Sequence, residues 1–169
     1  MRKGDCSFST IRRATEADLE AVMGIYDAAR AFMRATGNRT QWTGGYPSRA
    51  HAEHDLARGW LWVCDGGEGP LAVMSVMPGP DRTYASIEGD PWLNEEPYWV
   101  MHRLACSVQG RGIGSTMLAF LCDEHENVRA DTHEDNVPMQ RALERAGFVR
   151  RGTVTCDDGT PRIAYHYVR

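Results

Sequence analysis

Between Tyr98 and Glu124 the chain switches from one structural period to another across a run of glycines, and few folds accommodate that switch. The stretch Tyr98-Trp99-Val100-Met101-His102-Arg103-Leu104-Ala105-Cys106 is rich in β-branched, aromatic and bulky apolar residues, the composition of a largely buried strand. Beyond Gln109-Gly110-Arg111-Gly112-Ile113-Gly114-Ser115, apolar residues recur at Ile113, Met117, Phe120 and Leu121, with Glu124 the polar member of the series; this is one face of a helix. The glycines therefore occupy the turn and first helical residues of a strand-to-helix junction. Backbone N–H groups there lack intrahelical partners and the helix dipole favours an anion. With no side chains in the way, a pyrophosphate can reach those amides.

A glycine-rich turn with no ligand is the plain alternative. Among phosphate-binding patterns, a Walker loop is excluded because no Gly-Lys-Ser/Thr follows, and no opening strand-turn-helix unit precedes the motif as a dinucleotide fold would require. The junction resembles the acetyl-CoA motif of the GCN5-related N-acetyltransferase (GNAT) family, Gln/Arg-x-x-Gly-x-Gly/Ala, with Gln109, Gly112 and Gly114 at its fixed positions. A second stretch carries the same resemblance. Asp131-Thr132-His133-Glu134-Asp135-Asn136, then Met139 to Phe148, resembles the family's next strand, its Asn, and its last helix ending in Gly-Phe.

The element order agrees. A strand at Phe8 to Arg13 precedes a helix that Thr15 caps and Gly37 ends, with a stripe of Leu19, Val22, Met23, Tyr26, Ala29, Arg30 and Met33. Ser48 caps a short helix to Arg58; Trp60–Cys64 and Leu71–Met77 read as a hairpin around Asp65-Gly66-Gly67-Glu68-Gly69. A Pro- and acid-containing connection, 78–97, offers an edge strand at Tyr84–Ile87. Strand 98–106, helix 112–126, strand 128–133, helix 137–146 and strands 148–155 and 162–168 follow. This order predicts an α/β fold with a sheet of mixed direction. The family match is in residues over 98–148 and in order only before that. The resemblance implies a mostly antiparallel sheet of about six to seven strands, splayed between the fourth and fifth, with about four flanking helices.

Composition sets the outer limits. At 169 residues the chain suits one domain, 1–169, rather than two. An apolar share of 42% with 25% charged residues is ordinary for a soluble globular protein, and a net charge of −4 gives no support for nucleic-acid binding. No apolar stretch approaches the roughly 20 residues of a membrane span, and no signal-peptide core follows Met1, so a cytoplasmic location is expected. The cysteines, Cys6, Cys64, Cys106, Cys122 and Cys156, are odd in number with no C-x-x-C pair. They read as reduced, mostly buried thiols, and His51 with His54 as a solvated helix face; no metal is expected.

The resemblance implies acetyl-CoA as cosubstrate, held by Leu104, Cys106, Gln109, Gly110, Arg111, Gly112, Ile113, Gly114, Ser115 and Asn136. The pantetheine arm would pair with the strand edge at Leu104–Cys106, and a backbone N–H near Ala105 would serve as oxyanion donor. Asn136 is equally suited to cap the last helix. Transfer in the family is direct, to a small-molecule or peptide amine, with a homodimer compatible. The family's usual acid, a Tyr four residues before the terminal Gly, is Leu143 here, which leaves a noncatalytic CoA-binding or sensory module as the alternative. His102 and His133 are the candidate bases, since imidazole titrates nearest neutrality; Tyr165 and Tyr167 are further candidates for proton transfer. Cys106 has no activating partner nearby in sequence. Trp42 and Tyr46 in the loop 38–47 read either as a substrate-facing lid or as plugs at the core edge, and Trp92 and Tyr98 as borders of an acceptor pocket.

Overall fold

The computed structural model describes residues 10–169. Seven strands form one sheet in the order β1-β2-β3-β4-β5-β7-β6: β1 Thr10–Arg13, β2 Leu61–Asp65, β3 Pro70–Pro78, β4 Trp99–Cys106, β5 Asn127–Thr132, β6 Val149–Thr155 and β7 Pro161–Val168. Every pairing is antiparallel except β4 with β5, which is parallel and confined to Trp99 opposite Val128 and Val100 opposite Arg129. Four helices, α1 Leu19–Ala35, α2 Arg49–Ala57, α3 Ile113–Glu124 and α4 Val137–Arg145, flank it. This is the mixed, splayed sheet that the resemblance implies. Phe8, expected to start the first strand, and Cys6 lie outside the described residues.

The helices follow their apolar stripes. On α1 the buried residues are Leu19, Val22, Ile25, Tyr26, Ala29 and Met33, so Ile25 joins the expected set while Arg30 turns to donate to the Tyr46 and Pro47 carbonyls. They pack on Leu61, Val63, Val73 and Ala105, one face of the sheet. On the other face, Ile113, Met117, Leu118 and Leu121 of α3 meet Leu143 and Phe148 over Met74, Val76, Val128 and Ala130. Leu143 is fully buried there and has no proton to give.

Two expectations fail in the connection between β3 and β4. Its middle is a 3₁₀ turn, Arg82–Ala85, rather than an edge strand at Tyr84–Ile87. The only strand-like pairing described there is a bridge from Glu88 to Thr153. The Asp81 carboxylate accepts from the Thr83 N–H at 2.8 Å and so starts the turn, and the Tyr84 ring drops into the core beside Trp92. Trp92 and Tyr98 stack on the buried guanidinium of Arg129, at 4.3 and 3.9 Å from its centre. They are core residues instead of pocket borders.

His166 is buried in the same region, accepting from Leu93 N–H at Nδ1 (3.0 Å) and meeting Asn127 Oδ1 at Nε2 (2.6 Å). Burial, then the nearby charges of Arg129 and Arg151, press its pKa down to about 4. An unfolded chain takes up this proton near pH 6.5, so the stability that a neutral His166 contributes is complete above that pH. It declines as pH falls toward about 4. The imidazole should titrate by NMR with a midpoint near 4, and the urea midpoint of unfolding should fall across that window. A ring titrating near 6.5 in the folded protein would contradict the assignment.

Candidate active site

The break in the sheet starts in β4. Val73 pairs with Ala105 and Ser75 with His102, so Arg103 and Leu104 together oppose Met74 in a bulge. Arg103 adopts φ 54°, a left-handed conformation that a non-glycine residue holds only when its surroundings enforce it. The enforcement is a buried ion pair: Arg103 Nη2 donates to Asp55 Oδ2 at 2.5 Å, Asp55 also accepts from Ser75 Oγ at 2.5 Å, and Nη1 donates to the Tyr46 hydroxyl at 2.9 Å. Burial alone would disfavour the guanidinium charge, but Tyr46 and Asp55 outweigh it and raise its pKa. From Met101 onward β4 has no partner on its β5 side among the described residues. The Ser107 N–H reaches Leu71 O; ladder alternation then turns the Ala105 N–H toward Val73 and the Cys106 N–H into the gap.

The glycine junction lies at the end of that gap. Gly112 is the N-cap of α3 at φ 74°, and none of the backbone N–H groups from Val108 to Ser115 has an acceptor among the described residues. A Cβ on Gly110 or Gly112 would meet nothing within 4 Å, and one on Gly114 would only touch Cys106 Sγ at 3.6 Å. The junction is therefore an open row of donors rather than a packed turn. It forms one wall of a cleft of about 390 Å³ that also takes in Leu104, Ala105, Cys106 and Asn136. All ten residues expected from the sequence to hold a cosubstrate line it. So do Arg141 and Arg145, with no carboxylate. The sequence reading missed these two arginines, although their spacing of four on a helix puts them on one face.

A second cavity, of about 360 Å³, lies against the first and shares Met33, Leu104, Asn136 and Met139 with it. His102 lines it; His133 does not. His102 Nε2 is 2.8 Å from Asp81 Oδ2, so Nε2 carries the proton toward the carboxylate and Nδ1 is left as the basic nitrogen. Burial pushes the Asp81 carboxyl up, but the hydrogen bond and charge of His102, with the Thr83 N–H, outweigh it and hold it below the usual range. His133 instead accepts from Asp135 N–H at Nδ1 and meets Thr40 Oγ1 at 2.9 Å through Nε2, tying the loop 38–47 to the end of β5. Trp42 and Tyr46 sit at the core edge and also face a cavity. Trp42 stacks edge-on to the buried Tyr26 and Tyr46 bonds Arg103, yet both line the cavity. Tyr165 is bound to Glu144 Oε1 at 3.2 Å, and neither it nor Tyr167 lines either cavity. Cys106 is partly buried and its thiol is pushed up to about 11 by burial, which removes it as a nucleophile.

Asn136 joins the two cavities. Its Oδ1 accepts from the Met139 N–H (3.3 Å), capping α4, and its Nδ2 donates to Gln41 (3.0 Å). Asp55, Asp81 and Arg103 carried no signal in the sequence, because Asp81 meets His102 across 21 residues and Arg103 meets Asp55 across 48. The outer wall formed by Cys156, Asp157, Asp158 and Arg162 carried none either.

A family model for the acetyltransferase (GNAT) family matches residues 22–148, more than half of the chain. Solved structures agree over nearly all of it. A GNAT-family acetyltransferase from Streptococcus agalactiae is 32% identical, with 96% of each chain covered and a TM-score of 0.88. A ribosomal-protein-alanine N-acetyltransferase from Brucella melitensis shares the fold at 21% identity and TM-score 0.65, covering 95% of this chain and 99% of its own. An N-acetyltransferase from Staphylococcus aureus does so at 18% and 0.65, covering 96% and 99%. The chain belongs to the GNAT acetyltransferase family.

Because Asp55 is the one carboxylate on the buried Arg103 guanidinium among the described residues, Asp55→Ala leaves that charge uncompensated. The expected loss in unfolding free energy is about 3–5 kcal/mol, read by urea denaturation, with Asp55→Asn losing less. A loss below about 1 kcal/mol would show that the pair does not hold the bulge.

Proposed function

We propose that the chain is an acetyl-CoA-dependent N-acetyltransferase that moves the acetyl group directly from thioester to amine. One observation carries the reading: a cleft with a row of N–H groups that have no acceptor among the described residues, whose charged lining side chains are all arginines, meets at Leu104 and Asn136 a cavity lined by His102, with Asp81 bonded behind it. The residues fit the cosubstrate. Backbone N–H groups of Gln109 to Ser115, with Arg111, Arg141 and Arg145, would hold its phosphates. The free edge of β4 at Leu104–Cys106 would pair with the pantetheine arm, beside Asn136. Bound there, acetyl-CoA supplies an acyl group activated as a thioester.

The remaining chemistry belongs to this chain. N–H groups flanking Ala105 stabilise charge developing on the carbonyl oxygen. His102 Nδ1 accepts the amine proton while Asp81 fixes the tautomer through Nε2. His133, committed to Thr40 and Asp135, orders the loop instead. With Leu143 in the core, the thiolate takes its proton from water; an alkyl thiol has a pKa of about 8.5, so this costs little.

Two variants test this. Gly112 is a poor probe, because a side chain at φ 74° adds backbone strain of roughly 1–2 kcal/mol. Gly114 has ordinary helical geometry, so Gly114→Val should fold yet lose acetyl-CoA affinity at least tenfold by calorimetry; unchanged affinity would remove the assignment. His102→Asn should lower kcat/KM about 100-fold or more and erase the acidic limb of its pH profile, while His133→Asn keeps that limb. Acetyl-CoA binding without thiol release on any amine would select the binding-module alternative.

A further inference from the structure

The geometry points to a specificity-determining residue for the acceptor. We propose that Gln41 donates a hydrogen bond from Nε2 to a carbonyl oxygen of the acceptor, so that the preferred acceptors are amines carrying a neutral amide carbonyl next to the amino carbon: amino-acid amides or peptide N-termini. The proposal rests on the acetyltransferase reading above.

The argument runs through a chain of fixed amides. The Met139 N–H can only donate, so the Asn136 atom that meets it is Oδ1, and the atom that Asn136 turns to Gln41 is Nδ2. The Gln41 atom 3.0 Å away must then be Oε1, and the same oxygen accepts from Asn38 Nδ2 at 2.7 Å. The helix cap thus dictates the orientation of Gln41, even though it leaves Asn38 Oδ1 buried with no partner. Gln41 is itself 92% buried, being 8% exposed. Its Nε2 has no partner among the described residues and is the one polar atom of the side chain left over. Gln41 lines the acceptor cavity and not the cosubstrate cleft, which assigns the free donor to the acceptor.

A donor held this way discriminates, because an acceptor without a matching oxygen leaves a desolvated N–H unpaired. The same cavity says which oxygen. With Arg103 paired to Asp55 and Asp157 paired to Arg82, Asp131 and Asp158 remain in its lining against Arg162, so a carboxylate is repelled where a neutral carbonyl is not.

The test compares alaninamide, alanine and isopropylamine by CoA release, with kcat/KM expressed per free amine. Alaninamide should exceed each of the others at least tenfold in the native protein. Gln41→Glu is isosteric and keeps an oxygen for Asn38 and Asn136 but replaces the donor by a carboxylate oxygen. The alaninamide preference over isopropylamine should then fall to within about threefold, with acetyl-CoA affinity by calorimetry within about threefold of native. Turnover without discrimination in the native protein, or discrimination that survives in Gln41→Glu, would overturn the proposal alone. No CoA release from any amine would overturn the acetyltransferase reading and this proposal with it.

Discussion

The buried Arg103–Asp55 ion pair is the interaction on which the rest of the site depends. Held at φ 54°, Arg103 inserts an extra residue into β4, and the added twist carries the strand on away from β5, with which its pairing ends at Val100. The gap exposes the edge at Leu104–Cys106 and leaves room for a ligand between α1, α3 and α4. Through Asp55 the pair also fixes α2, through Ser75 it fixes β3, and through Tyr46 it fixes the loop beneath the acceptor cavity. A buried ion pair adds little net stability against a well-packed apolar alternative. Its value here is geometric, since an apolar residue has no reason to hold a left-handed conformation in the middle of a strand.

The two cavities divide the labour by charge. The charged side chains lining the first are arginines, beside N–H groups with no acceptor among the described residues; the second is lined by His102, by Asp131, Asp157 and Asp158, and by Arg103 and Arg162; they meet at Leu104 and Asn136. Under the proposed function, an anionic donor and a cationic or neutral acceptor would be drawn to different sides of one junction. Orientation of this kind can account for much of the rate of a direct transfer, which fits a site with no activated nucleophile and no phenol at position 143.

The glycine junction was legible in the sequence because its signal is local: β composition, missing side chains and helical periodicity each lie within a few residues. The helices and most strands were legible for the same reason. The bulge was not, because nothing in Arg103 announces a left-handed backbone; it arises from partners at positions 46, 55 and 75 that only the folded chain brings near. The same holds for Asp81, which reaches His102 across 21 residues. Trp92 and Tyr98 were misread as pocket borders because an aromatic residue in a Pro-rich connection looks exposed until the buried Arg129 it covers is known. Histidine identity alone made His102 and His133 equal candidates; hydrogen-bond partners separate them.

If the chain binds an acyl-CoA as proposed, the splayed edge of β4 and the glycine junction form one binding surface for it. Amide hydrogen exchange with and without acetyl-CoA is the decisive measurement, because the N–H groups from Val108 to Ser115 have no acceptor among the described residues to mask the effect. Acetyl-CoA should slow exchange in this segment and at Cys106 together, at one midpoint concentration. Protection confined to other segments, or none in 104–115 at saturating acetyl-CoA, would contradict this.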